Sequence, residues 1–207
     1  MNEIKLFQKK IIIDKSPVIM KYDKDDNWLD LFDACCGEWS FDGEWIVGKE
    51  RGNRSADLFT KEYFEDNVMM TCTIKTGLPA TRDVNAVFCA RWDEEKNDEG
   101  PGYLAGLNGW WEHKAGIEKY GSNDFMVSLS PTYQYEPGKE IKMTVGAVNG
   151  HCFMVVDGEL ISELLDPNPL IGGHVGFAAY CTVLMIKDVE VRKIYWEKFE
   201  QSYEPEF

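Results

Sequence analysis

The hydrophobic and polar pattern reads as β-strand almost throughout the chain, in short apolar runs and in stretches that alternate with a period of two. Val68-Met69-Met70-Thr71-Cys72-Thr73-Ile74 and Ala86-Val87-Phe88-Cys89-Ala90-Arg91-Trp92 are short β-prone runs. In residues 141–148, Lys142 and Thr144 fall on one face while Met143 and Val145 fall on the other. Asn149-Gly150 and Asp157-Gly158 then separate consecutive runs, and both pairs suit the tight turns whose twist matches paired strands. Residues 175–180 and 183–194 complete the set, with Gly172-Gly173 and Gly176 placed as at a bulge or corner. Residues 26–36 read as one short helix, with Trp28, Leu31, Phe32 and Cys35 on a common face. Closely spaced strands without crossover helices predict an all-β protein, an antiparallel β-sandwich with at most one or two short helices.

The pattern gives one domain over residues 1–207. Residues 1–37 form an N-terminal extension packing on the sandwich, 38–194 the core, and 195–207 an aromatic and acidic tail. In that tail Tyr195, Phe199 and Tyr203 recur every fourth residue, as on one helical face. Such a face packs on its own sandwich or serves a homo-oligomer or partner-enzyme contact. Residues 93–102, rich in acids and glycine, read as an exposed loop.

Charge narrows the partners. Against 22 Lys and Arg stand 36 Asp and Glu, a net charge of −14. That field repels polyanions, so neither a nucleic acid nor an anionic membrane is an expected partner. Apolar residues at 44% and aromatics at 13% exclude a disordered chain. The longest apolar run near the start is Ile11-Ile12-Ile13, too short for the core of a secretory signal, so the expected location is cytoplasmic. Six cysteines contain no C-x-x-C pair, which fits buried reduced thiols better than a thiolate zinc site.

The richest chemistry lies in Asn108-Gly109-Trp110-Trp111-Glu112-His113-Lys114. A sugar presents apolar C–H faces and dense hydroxyls, so it calls for aromatic platforms beside carboxylates, amides and imidazoles. Arg91 could pair with a carboxylate or fork onto sugar hydroxyls. Asp83 and Asn85 precede the same strand. Of the three histidines, His151 follows a turn and is expected at the surface, while His174 could face the sheet. His113, His174 and Asp83 are candidate ligands for a divalent metal ion, provided that folding brings them together. Asp188 and Glu190 share one face of a closing, edge-type strand. No G-x-S-x-G, H-E-x-x-H, G-x-x-x-x-G-K-[ST] or G-x-G-x-x-G motif is present.

Several segments also carry a resemblance. They are the opening hairpin over residues 39–48, the strand entry over residues 58–68, and Asn85-Ala86-Val87-Phe88-Cys89-Ala90-Arg91 with Gly102-Tyr103 after it. Val156-Asp157-Gly158 follows, and then the closing Gly173-His174-Val175-Gly176-Phe177 and Ile186-Lys187-Asp188-Val189-Glu190-Val191. Over residues 38–194 this order resembles the concanavalin A-like jelly rolls, and more narrowly the 3-keto-disaccharide hydrolase domain family. The family commonly follows Gly-Tyr with a Glu and a Gln lining a concave sheet, where this chain has Leu104 and Gly106.

The resemblance implies a carbohydrate-active protein that cleaves an oxidised, 3-keto glycoside by base-catalysed elimination or hydrolysis. Onto that chemistry we map Glu112 or His113 as base, and Arg91, His174 or a metal as the group that stabilises the enolate. Trp110 and Trp111 become platforms, and Asn85, Tyr103 and His174 further saccharide contacts. The alternatives are a non-catalytic carbohydrate-binding module and a jelly-roll subunit of a larger glycoside-processing complex.

Overall fold

A computed structural model describes residues 2–50, 55–109, 111 and 113–200. In chain order the strands are β1 (Glu3–Leu6), β2 (Lys9–Ile12) and β3 (Val18–Tyr22), followed by one helical turn α1 (Trp28–Leu31). Then come β4 (Phe32–Ala34), β5 (Glu38–Phe41), β6 (Ile46–Lys49), β7 (Ser55–Thr60), β8 (Val68–Thr76) and β9 (Val84–Ala90). They continue with β10 (Trp92–Asp93), β11 (Asp98–Glu99), β12 (Gly102–Leu107), β13 (Ala115–Tyr120) and β14 (Met126–Ser130). The last are β15 (Ile141–Val148), β16 (His151–Val156), β17 (Glu159–Leu165), β18 (His174–Tyr180), β19 (Val183–Lys193) and β20 (Trp196–Lys198).

Two antiparallel sheets pack face to face, as predicted. One runs β14-β13-β12-β9-β18-β7-β4; the other runs β17-β16-β15-β8-β19-β6-β5, with β3 pairing onto β19. The period-two pattern sends Leu58, Ala86, Phe88, Ala105, Ile117 and Phe177 inward from the first sheet. Met70, Cys72, Met143, Val145, Met154 and Ile186 meet them from the second. Both predicted tight turns form. Asn149 and Gly150 have φ of 49° and 78°, Asp157 and Gly158 φ of 49° and 89°, as turns between right-twisted strands require.

The ends of the chain lie together. Strands β1, β2 and β20 form a three-stranded sheet. It covers the outer face of the eight-stranded sheet through Ile4, Leu6 and Ile11, packed on Met69, Phe153 and Val155. Residues 196–198 are therefore a strand rather than part of a helical face, because their backbone pairs with β2; Tyr203 lies outside the described residues.

Four other expectations are corrected. The helix expected over residues 26–36 stops after one turn, where Phe32 turns inward against Tyr22 and Phe177 and the backbone pairs with β7. Residues 93–102 are not simply a loop but carry the β10–β11 hairpin. Strand β19 is no edge, since it pairs with β8, β6 and β3. His151 is fully buried, its Nε2 lying 2.7 Å from Glu163 Oε1.

Tyr103 and Lys119 are register partners on β12 and β13, and both reach the carboxylate of Asp166. The Tyr103 hydroxyl donates to Asp166 Oδ2 at 2.6 Å, and Lys119 Nζ lies 2.9 Å from it. Lys119 also donates to the Asn168 carbonyl at 2.7 Å and pairs with Asp124. Removing one partner strands a buried charge. Lys119→Met is expected to lower stability by about 3–5 kcal/mol, read as a fall in thermal and denaturant midpoints; an unchanged midpoint would contradict the role given to this pair.

Candidate functional site

The residues that alternate with the core side chains on β7, β9, β12, β13 and β18 point to the outer face of the seven-stranded sheet. They include Asp57, Asn85, Leu104, Gly106, Glu118, Ala178 and Tyr180. This face holds a cavity of about 750 Å³. The β10–β11 hairpin forms one wall with Trp92, Asp98 and Glu99; Trp111 forms another, with Arg82 and Asp83 nearby. Gly106 leaves room among the lining residues: a Cβ there would collide with Asn85 Oδ1 and crowd Leu104 and Trp111.

Polar groups are tied to the floor from several elements. Asp57 and Asn85 are only 1% and 3% exposed. The Ser55 hydroxyl stands within hydrogen-bond reach of both Asp57 Oδ2, at 2.8 Å, and Glu99 Oε1, so one proton serves two carboxylates. The Cys36 thiol lies 3.1 Å from Asp57 Oδ2. Burial, with Asp57 beside it, pushes that thiol up to about 12, so it stays protonated and able to donate. Burial first, and then the charge of Glu99, push Asp57 up to about 7. Asp57 Oδ1 and Asn85 Oδ1 have no hydrogen-bond partner among the described residues. Trp111 Nε1 donates to Glu118 Oε2 at 3.1 Å, which fixes the indole plane. Asp83 accepts from Arg82 Nε at 2.8 Å. Burial raises its pKa, opposed by Arg82, Asn85 and His113.

The structure gathers Asp83, Asn85 and Trp111 of the expected site, together with Leu104 and Gly106. Trp110 and Glu112 lie outside the described residues. The remaining candidates stand elsewhere. Tyr103 faces the core, because β12 alternation sends Leu104 to the cavity instead. Arg91 is exposed at the far end of β9, donating to the Ile171 carbonyl at 3.2 Å. A bulge at Cys89, with φ of 49°, shifts the alternation just before it. His174 turns Nδ1 toward the carbonyls of Thr60 and Glu62, at 2.7 and 3.1 Å, between the rings of Phe59 and Tyr63. His113 is exposed on the turn that carries Trp111.

The expected metal set does not converge. His174 pairs with Ala90 at one end of β9 and Asp83 precedes the other, some seven residues or roughly 20 Å along the strand. Among the described residues, no group of three or more His, Cys, Asp or Glu is arranged to hold a metal ion.

Sequence reasoning missed Ser55, Asp57, Trp92, Glu99 and Glu118. The signal for Asp57 was present: an acid inside the run Ala56-Asp57-Leu58-Phe59 is unusual in a strand buried on both faces. Glu99 carried no such signal, because its place depends on the hairpin folding back over the sheet.

No protein-family model matches the chain, and no curated protein matches its sequence. Solved structures do match. A Bacillus subtilis protein of unknown function with a galectin-like fold aligns at TM-score 0.66 and 13% identity, over 87% of this chain and 98% of that one. Carbohydrate-binding module CBM66 from Bacillus subtilis aligns at 0.59 and 15%, over 78% and 94%. The calcium- and mannose-bound exoplasmic/lumenal domain of VIP36 aligns at 0.61 and 10%, over 90% and 100%. At these identities the likeness establishes the fold, an antiparallel jelly-roll sandwich.

The raised pKa of Asp57 has a consequence for stability. The folded chain holds this proton more tightly than the unfolded chain, whose ordinary value is 3.8. The contribution is full below that pH and is lost as pH rises through about 7. Asp57→Asn is therefore expected to melt above the wild type at about pH 8, by up to roughly 2–4 kcal/mol, and to match it near pH 4. A variant less stable than the wild type at both pH values would contradict this reading.

Proposed function

We propose that this chain binds a saccharide in the cavity on the outer face of its seven-stranded sheet. One observation carries the reading: Trp92, Trp111 and Tyr180 share a cavity of about 750 Å³ with Asp57, Asn85, Glu99 and Glu118. Aromatic surfaces suit the C–H faces of a pyranose ring, and carboxylate and amide oxygens accept from its hydroxyls. The names of two similar structures support the reading, one as a carbohydrate-binding module and one as a mannose-bound form.

A second reading adds chemistry to the same cavity. It is favoured by Asp57, which titrates near neutrality beside Glu99. In a 3-keto glycoside the carbonyl acidifies the neighbouring C2–H. A carboxylate takes that proton, and the C–H electron pair passes into an enolate. The enolate then expels the glycosidic oxygen from C1, and that oxygen takes up a proton as it leaves. The Asp57–Glu99 pair replaces Glu112 and His113 as the base in this reading.

The test is calorimetric titration of neutral oligosaccharides, run alongside turnover assays on 3-keto glycosides and their unoxidised parents. Binding is expected for at least one saccharide, weakened by about tenfold or more in Trp92→Ala and in Trp111→Ala. Cleavage confined to the keto substrates would establish the second reading. Neither binding nor cleavage of any saccharide would overturn both.

A further inference from the structure

The cavity is rich in acceptors and poor in cations. Among its described lining residues, Asp57, Asp83, Asp98, Glu99 and Glu118 face a single guanidinium, Arg82, and that group is committed to Asp83 at 2.8 Å. Of the described residues that line the cavity, the polar atoms left without partners are Asp57 Oδ1 and Asn85 Oδ1, both acceptors on side chains more than nine-tenths buried. Asn85 Oδ1 is held over Gly106, where the missing Cβ leaves it room. A buried acceptor without a donor is costly, so what these two lining residues lack is a donor.

The carboxylates make the same demand in charge. Asp57 and Glu99 meet across one Ser55 hydroxyl. The other titratable groups that feel Asp57 are the Cys35 and Cys36 thiols and the Tyr120 phenol, all of which stay neutral. Among the described residues that line the cavity none offers the pair a positive charge, so there it is balanced by a proton or by a cation from the ligand.

We propose, resting on the saccharide reading above, that the ligand is an amino sugar whose free ammonium group seats on Asp57, Glu99 and Asn85. A primary ammonium brings three donors and one positive charge, which answers both demands at once. A neutral hydroxyl answers only the first, and an acidic sugar meets a lining in which carboxyls outnumber cations. The aromatic walls contributed by Trp92, Trp111 and Tyr180 mark the rest of the ligand as a sugar ring rather than a plain amine.

Binding then has a proton signature. Seating an ammonium on Asp57 favours the ionised carboxylate and expels the proton it holds near neutrality. Affinity for the amino sugar falls as pH drops below about 7, where the proton competes.

The experiment is isothermal titration of the intact chain with three trisaccharides: β-1,4-linked glucosamine, its N-acetylated form and the corresponding glucose oligomer. Spermidine is the plain-amine control. The free-amine trisaccharide is expected to bind at least about tenfold tighter than the other two. Repeating the titration in two buffers of different ionisation enthalpy, at a pH low enough that the sugar amine is already fully protonated, should show proton release for that ligand alone. Asp57→Asn and Glu99→Gln, each confirmed as folded by its melting curve, should lose most of this preference.

Equal affinity for the three sugars would overturn the amine assignment and leave the saccharide reading standing. Binding of spermidine with no sugar bound would overturn both. A preference that survives in both variants would remove the ammonium from this floor.

Discussion

The site depends on an asymmetry between the two faces of the seven-stranded sheet. Its inner face carries the large side chains, Leu58, Phe88, Tyr103, Ile117 and Phe177, which fill the space against the second sheet. Its outer face is small at the centre, with Gly106, Gly176 and Ala178, and polar around that centre. Period-two alternation ties the two faces together, because a one-residue slip would send aromatics into the cavity and carboxylates into the core. The packing that stabilises the sandwich therefore also keeps the cavity open and fixes which groups line it.

Two clusters of buried acids illustrate opposite solutions to one electrostatic problem. Asp166 sits between the sheets and is neutralised by Lys119 and the Tyr103 hydroxyl, so its charge is balanced within the fold. Asp57 and Glu99 have a hydroxyl and a thiol in the corresponding role, and neither brings charge. The first arrangement braces the sheet edge near β13. The second leaves the cavity floor dependent on a proton or a ligand, a condition common at functional sites. The outer face of the opposite sheet is partly covered by β1, β2 and β20.

Local pattern made much of the fold legible. The alternating runs and the two glycine turns gave the sandwich and several of its hairpins, because strand period and turn conformation are properties of neighbouring residues. Readings that failed were those a distant strand decides. Phe32 left the helical pattern to pair with β7, residues 196–198 became a strand on β2, and His151 was drawn into the interior beside Glu163. The site shows the same division. Trp111, Asp83 and Asn85 were recognisable by residue type and reach one cavity, whereas Arg91, His174 and Tyr103 were misplaced by a bulge, a strand end and one step of alternation. Glu99 gained its role from a hairpin that folds across the sheet to meet Ser55, a contact over 44 residues of sequence.

The central claim is that ligand enters the cavity on the outer face of the seven-stranded sheet. Seven tryptophans report on it. Trp92 and Trp111 line the cavity, while Trp45 lies under Lys75 and Lys187 on the opposite sheet and Trp196 belongs to β20. The direct measurement is the indole N–H spectrum of the isotope-labelled chain, titrated with neutral and amino oligosaccharides. The account predicts that the Trp92 and Trp111 resonances move with saturating ligand while those of Trp45 and Trp196 stay fixed. Movement of Trp45 or Trp196 with Trp92 and Trp111 unchanged, or no movement with any saccharide, would contradict it.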